Sequence, residues 1–344
     1  MRIFVYEFVT GGGWYSCGAL PLPGSLLSEG LAMLRALVED LTAIGAEVSA
    51  LWDRRHLLPN LPTAAIHSVG TAEEERAAFH RVAAEAEATI LIAPEFCGFL
   101  LERCRWAEGA GARLVSPSSG FVELTSDKHR TAEVLSAAGV AVPHGLALDA
   151  DQLLPREFRY PAVLKPRDGA GSQSIRLIDR PAVDERALAQ PSRMEEFCPG
   201  VAASVAVLCG PAQQLVLPPC GQILSDDGRF TYLGGRLPLE PALASRARGL
   251  ARQAMAAVPK ARGYVGIDLV LGGHPDGRED VVIEINPRLT TSYVGLRQLA
   301  RGNISQAMLA IAGGQTASLS FDARPLQFEP DGRVRRMECA WGGA

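Results

Sequence analysis

Lysine is nearly absent from this chain. Of 344 residues, 34 are Lys or Arg, yet Lys stands only at positions 128, 165 and 260. Arg therefore serves wherever a generic surface cation is needed, and each Lys calls for its own explanation. Long apolar runs are missing too: nothing approaches the roughly 20 residues of a membrane-spanning helix, which predicts a soluble protein with no membrane partner. There is no excess of basic charge, the formal net charge being -4, and that excludes the electrostatic footprint of a nucleic-acid binder. Paired CxxC spacing is lacking. The seven Cys (Cys17, Cys97, Cys104, Cys198, Cys209, Cys220 and Cys339) are scattered, against both a disulfide framework and a zinc site, and are expected as reduced thiols. The six His show no ligand spacing, and His129 reads as a helix-surface residue. The opening MRIFVYEFV has Glu7 and no small-residue cleavage site behind an apolar run, so it reads as a first strand and the chain as cytoplasmic.

What is present is enough chain for two or three packed domains. The first third alternates strand-like RIFVYEFV, AEVSALW and ATILIAP with helix-like segments, the order of a parallel sheet covered by helices. Beyond Pro117 a helix is bounded by an N-cap candidate at Ser126 and by Gly139. YPAVLKP and SIRLI flank the small-residue loop RDGAGSQ. MEEFCPG, ASVAVLCG, QQLVLPPCGQIL and RFTYLGG then read as an antiparallel sheet, GYVGIDLVLGG and DVVIEINPRL as a hairpin-like pair, and 292–312 as a final helix. After residue 328 no period is visible.

Lys165 ends an apolar strand just before a loop containing Gly169, Gly171 and Ser172. An ammonium delivered beside backbone donors that can approach closely suits a polyphosphate. Lys128 lies early in its helix. Glu195 and Glu196 precede Phe197 on a strand, where neighbours point to opposite faces, so one acid meets solvent and the other a ligand. Alternation puts Glu284 and Asn286 on one face, and an adjacent antiparallel strand can bring Asp268 beside them. Three such oxygen-bearing side chains are costly to bury without a cation and suit Mg²⁺ shared with phosphates. Arg288, two residues on, can neutralise phosphate or a developing oxyanion. Gly11-Gly12-Gly13 lacks the GxGxxG spacing of a dinucleotide fold, which disfavours an NAD-dependent oxidoreductase.

In chain order, SDK at Lys128, VLKPRDGAGSQ at Lys165, EEF at Glu195–Phe197, the Asp268 strand and EINPR ending at Arg288 resemble the ATP-grasp superfamily over residues 118–312. The resemblance implies a mixed α/β and α+β fold: a Rossmann-like pre-ATP-grasp domain (1–117), a small lid subdomain (118–190), a C-terminal catalytic subdomain (191–328) and a tail (329–344), with ATP between the two α+β subdomains. It implies that Lys128, Lys165, Gly169, Gly171 and Ser172 hold the phosphates, and that Glu195, Glu196 and Phe197 form the hinge for adenine and ribose. Asp268, Glu284 and Asn286 would carry two Mg²⁺ ions, with Mn²⁺ as a substitute. Lys165 and Arg288 would act on the transferring group and acyl phosphate, and Arg236 and Ser292 on substrate. Where many members carry a ribose-binding acid about seven residues past the hinge, this chain has Ala202 and Ala203, so the hinge acids are left to that task. GSLLSEGLAMLRALVEDL and the opening strand are more narrowly similar to tyramine-glutamate ligases of methanofuran biosynthesis and bacterial relatives in one-carbon metabolism. That implies an amide-forming ligase joining a glutamate carboxylate to an amine, in methanofuran or tetrahydromethanopterin assembly, with small amino acids or amines as partners and a homodimer as in relatives. The alternatives are a non-catalytic nucleotide-binding regulator, a ligase for another amino acid or peptide, and a biotin-dependent carboxylase sharing the ATP site.

Overall fold

The computed structural model describes residues 1–18, 22–62, 65–169, 174–180 and 188–337. Strands β1 (Arg2–Glu7), β2 (Glu47–Asp53), β3 (Ala65–Val69) and β4 (Ala88–Ile92) form a parallel sheet in the order β3-β2-β1-β4. The two inner-edge runs FVYE and ATILI are buried throughout, as strands covered on both faces must be. Helices α1 (Gly24–Ala43), α2 (Ala72–Glu85) and α3 (Phe99–Gly109) supply the cover.

Helices α4 (Ser119–Thr125) and α5 (Lys128–Ala137) follow. Ser126 ends α4, and Asp127 is the N-cap of α5, accepting from the His129 and Arg130 amides at 3.0 Å. The carboxylate caps in place of the expected Ser126 because Arg167 also holds it in position.

Next comes a four-stranded antiparallel sheet, β5 (Gly145–Leu148), β6 (Ala162–Pro166), β7 (Arg176–Ile178) and β8 (Ser192–Glu196), in the order β5-β8-β6-β7. β8 thus closes the lid sheet instead of opening the next subdomain, because its inward Met194 joins Leu148, Ala162 and Leu164 in the small lid core.

The large antiparallel sheet is built from β9 (Val201–Cys209), β10 (Gln214–Val216), β11 (Cys220–Leu224), β12 (Tyr232–Leu237), β13 (Gly263–Leu271) and β14 (Val281–Asn286). Helix α6 (Pro241–Ala257) covers one face. The expected single helix over 292–312 is two, α7 (Ser292–Leu299) and α8 (Ile304–Ala312). They are separated by β15 (Ala300–Arg301), by Gly302 at φ +136° and by Asn303, which caps α8. β15 pairs with β16 (Ser320–Phe321), while β17 (Leu326–Phe328) and β18 (Val334–Arg336) extend the large sheet beyond β12. A strand therefore occupies the stretch after residue 328 that shows no sequence period.

Helix α1 joins the N-terminal and C-terminal parts in one core. Leu34, Leu37, Val38 and Leu41 pack in the same cluster as Tyr293, Ile304, Met308 and Ile311. Polar groups fasten the same seam: Tyr293 donates to Asp40 at 2.6 Å, and Arg297 pairs with Asp40 at 2.6 Å and Glu39 at 2.9 Å. Six of the Cys lie among the described residues, all as free thiols; Cys339 lies outside them.

Glu7, buried at the end of β1, accepts from the Thr10 amide and hydroxyl at 2.7 Å and from the Val9 amide at 3.2 Å. Burial pushes its carboxyl from the ordinary 4.5 up to about 7, against the pull of the Thr10 and Val9 donors. Between those values the native state keeps a proton that the unfolded chain has released. The associated stability is therefore complete below the unfolded value and lost as pH rises through about 7. The neutral Glu7→Gln should flatten the pH dependence of urea unfolding by about 3 kcal/mol across this window; a variant with the wild-type slope would show that Glu7 does not titrate there.

Candidate active site

The two unusual lysines meet between the lid and the large sheet. Lys165, at the end of β6 and only 2% exposed, places Nζ 2.5 Å from Glu195 Oε1 and 3.4 Å from the Ile283 carbonyl. Lys128, at the first position of α5, donates to the Gly169 carbonyl at 2.8 Å and approaches Glu284 Oε2 at 3.4 Å. Gly169 therefore belongs to the lysine pair; Gly171 and Ser172 lie outside the described residues.

The acids come together through strand register. Asp268 of β13 stands directly opposite Glu284 of β14, and Gly266 opposite Asn286. Asp268 accepts from the amides of Asn286 and Gln222, each at 3.1 Å. Burial and the adjoining Glu284 charge push Asp268 upward, so it tends to hold a proton. Burial presses Glu284 the same way, but Lys128 and Lys165 outweigh it and keep this carboxyl below its ordinary value. Two carboxylates set this close, one destabilised by the other, fit a divalent cation, and Asn286 can add a carbonyl oxygen. Among the described residues no cluster of three or more His, Cys, Asp or Glu forms a metal site unaided. This donor set suits a cation shared with phosphate oxygens.

Lys165, Asp268, Glu284 and Asn286 line a cavity of about 560 Å³, which Lys128 adjoins through its contact with Glu284. Val163 and Ile175 from the lid face Leu224, Val270 and Ile283 from the large sheet, giving an apolar slot. At its mouth the Phe197 and Phe230 rings stack at 6.1 Å and 21°. The hinge differs from expectation in two respects. Glu195 lines the cavity but is held between Lys165 and Arg193 Nε at 2.7 Å, so its carboxylate is engaged inside the lid and orients Lys165. The Phe197 amide already donates to the Pro161 carbonyl at 3.0 Å, which leaves the ring and not that donor to a ligand. Glu196, contacted by Arg159 at 3.4 Å, also lines the cavity and is the less buried of the two acids.

Arg288 lies beyond the acids in the same cavity. Its Nη2 donates to Glu95 Oε2 at 3.1 Å; Nε approaches Oε1 at 2.9 Å as a charge contact without hydrogen-bond alignment. Ser292, buried at the start of α7, lines the cavity and bonds Tyr264 at 3.0 Å and Thr290 at 2.8 Å. Arg236 does not join them. The register shift between Ile223 and Leu224 leaves Gln222 and Leu224 on the cavity side opposite Gly235 and Tyr232, whereas Arg236 pairs with Gly221, is exposed, and contacts Gln327.

Several site residues escaped sequence reasoning. Glu95 follows the carboxyl end of β4, the end of a parallel strand where ligands gather, and that position was the available signal. Arg193 is the one cation of lid strand β8, SRMEE, and is buried; it bonds the Pro143 carbonyl and His129 Nδ1, each at 2.8 Å. His129 is consequently half-buried in the lid and not a helix-surface residue. Glu29, Met33 and Tyr232 line the far end of the cavity; Glu29 and Met33 fall inside the segment GSLLSEGLAMLRALVEDL, whose likeness to a family gave them no site role.

The sequence profile of an ATP-grasp domain matches residues 125–292, and that of a pre ATP-grasp 3 domain matches residues 46–121. Among curated relatives, the tyramine--L-glutamate ligase of Methanocaldococcus fervens is 25% identical over 240 residues, 70% of each chain. The 2-oxoglutarate carboxylase small subunit of Hydrogenobacter thermophilus is 35% identical over 88 residues, 23% of this chain and 19% of that protein. An ATP-grasp superfamily protein from Archaeoglobus fulgidus has the same fold, with a TM-score of 0.72 at 22% identity over 96% of this chain and 92% of its own.

The Glu95 contact makes Arg288 a positioned cation. In Glu95→Gln the guanidinium loses its charge partner, and turnover should fall about 10-fold to 100-fold with nucleotide affinity unchanged. Equal losses in nucleotide binding and turnover, measured by calorimetry and ADP release, would count against this arrangement.

Proposed function

The chain belongs to the ATP-grasp superfamily, with a pre-ATP-grasp domain at its N-terminus, and from that premise we propose that it is an ADP-forming ligase that joins a carboxylate to an amine through an acyl phosphate. The observation that carries this reading is one cavity lined by Lys165, a carboxylate pair and an anchored arginine, with Lys128 beside it in contact with Glu284. A carboxylate is a poor electrophile at neutral pH, and phosphorylation supplies a leaving group. The protein's task is then alignment and charge neutralisation, with no side-chain nucleophile.

Lys128 and Lys165 hold the phosphates of ATP against the loop at Gly169. The apolar slot takes the base, and Glu196 faces the ribose. Two magnesium ions on Asp268, Glu284 and Asn286 would neutralise the terminal phosphates when bound. Arg288, kept in line by Glu95, holds the carboxylate to be activated and then the oxyanion of the tetrahedral intermediate. Likeness to a tyramine--L-glutamate ligase supports glutamate as the acid and an amine as acceptor, and we place the ligation in one-carbon cofactor assembly in the cytoplasm. The reciprocal charges of the acids and lysines favour this over a non-catalytic regulator, which has no need for a phosphate-facing carboxylate pair.

The test is incubation with ATP, Mg²⁺, glutamate and tyramine, tyrosine or pterin amines, followed by ADP quantification and mass analysis of products. Amine-dependent ADP release with a condensed product is the expected outcome. AMP formation would refute the acyl-phosphate route, and bicarbonate-dependent ADP release would mark a carboxylase. Glu284→Gln keeps the shape of the site but removes the charge facing Lys128, so ADP release should drop at least ~100-fold with the thermal unfolding profile retained. Near-normal turnover in that variant would contradict the assignment.

A further inference from the structure

Among the side chains at the far end of the cavity, Glu29 is the one acid the ATP chemistry leaves unused. It stands in the second turn of α1, one helical turn before Met33, and both line the cavity with Tyr232 and Arg288. Its backbone is held firmly: a Cβ on the next residue, Gly30, would lie 2.6 Å from the buried Glu7 carboxyl, so α1 sits at contact distance from β1. Among the described residues, Glu29 makes no hydrogen bond and no ion pair. Arg288 acts on it electrostatically but is already engaged by Glu95.

An unpaired carboxylate here repels the anionic donor acid and its acyl phosphate, so it has no part in the first half-reaction. What it suits is a cation arriving from the α1 side, and the acceptor of the proposed ligation is such a species, because a primary amine is an ammonium at neutral pH. Resting on the ligase reading above, we propose that Glu29 binds the ammonium group of the acceptor amine and takes the proton that must leave before the nitrogen can attack. Met33 and the Tyr232 ring then receive the carbon body of the amine.

The step balances. R–NH₃⁺ gives one proton to the Glu29 carboxylate, and the freed nitrogen lone pair forms the C–N bond at the acyl carbon. The C–O bond to phosphate then breaks, and the second nitrogen proton leaves on the phosphate as HPO₄²⁻. Burial raises the Glu29 carboxyl while Arg288 opposes it, with a net upward shift. That makes Glu29 a better proton acceptor than a solvated glutamate.

Hydroxylamine separates the two half-reactions, since at neutral pH it attacks acyl phosphates in its uncharged form and needs no carboxylate to deprotonate it. With ATP, Mg²⁺ and glutamate, wild-type protein should form the hydroxamate, and should form an amide with at least one of tyramine, phenethylamine and butylamine. Glu29→Gln should continue to form hydroxamate but lose about 100-fold or more in kcat/KM for the amine, and Glu29→Asp should recover part of that loss. Hydroxamate formation also certifies that the variant is folded. Equal amide rates in wild type and Glu29→Gln would overturn the proposal, as would loss of both products in the variant. So would a wild-type protein that makes hydroxamate yet ignores all three amines. Absence of hydroxamate from the wild type with every acid tried is a different result, which removes the ligase reading and the role of Glu29 with it.

Discussion

The site depends on two carboxylates that repel each other across neighbouring strands. Asp268 and Glu284 face one another because β13 and β14 pair in that register, and nothing on those strands compensates the charge. Compensation comes from elsewhere: Lys128 at the start of α5 and Lys165 at the end of β6. Their attraction for Glu284 ties the lid to the large sheet, while Asp268 remains the group that burial and repulsion drive toward its proton. A divalent cation bound with phosphate relieves that repulsion, so this imbalance of charge favours such a ligand.

A second layer of positioning lies behind the charges. Glu195 appears from sequence to be a ligand-facing hinge acid, but it forms an ion-pair chain with Lys165 and Arg193, and Arg193 is fixed in turn by Pro143 and His129. The lysine is thereby held by a buried network and not by solvent, and such a network specifies one geometry more than it adds stability. Arg288 is treated likewise by Glu95. The N-terminal domain therefore contributes to the active site twice, through Glu95 after β4 and through the α1 residues at the far end of the cavity. The Asp40, Tyr293 and Arg297 contacts keep that domain seated against α7.

Much of this was legible in the residues. Lys128 and Lys165 stood out because Lys is scarce, and two-residue alternation placed Glu284 and Asn286 on one face. Apolar runs separated by helical segments announced the parallel sheet. Other features were not legible. Arg236 has the right chemistry for a substrate contact, yet its pairing with Gly221 puts it on the face opposite to Gln222, and which face of a strand meets the cavity is set by cross-strand pairing that composition does not reveal. Ser126 and Asp127 are both good caps, and the choice fell to the neighbour that Arg167 could also bind.

By itself, then, the sequence determined the inventory and its local order: which strands carry acids, which carry lysines, and which faces they share, because periodicity and the cost of burying charge act over a few residues. Only tertiary structure decided the partners. Whether Glu195 meets ribose or Lys165, whether Arg288 is free or held by Glu95 from nearly two hundred residues away, and that Glu29 enters the cavity at all, follow from how separate sheets and helices pack. Electrostatic energies depend on distance and burial, and neither quantity exists for distant residues until the chain has closed on itself.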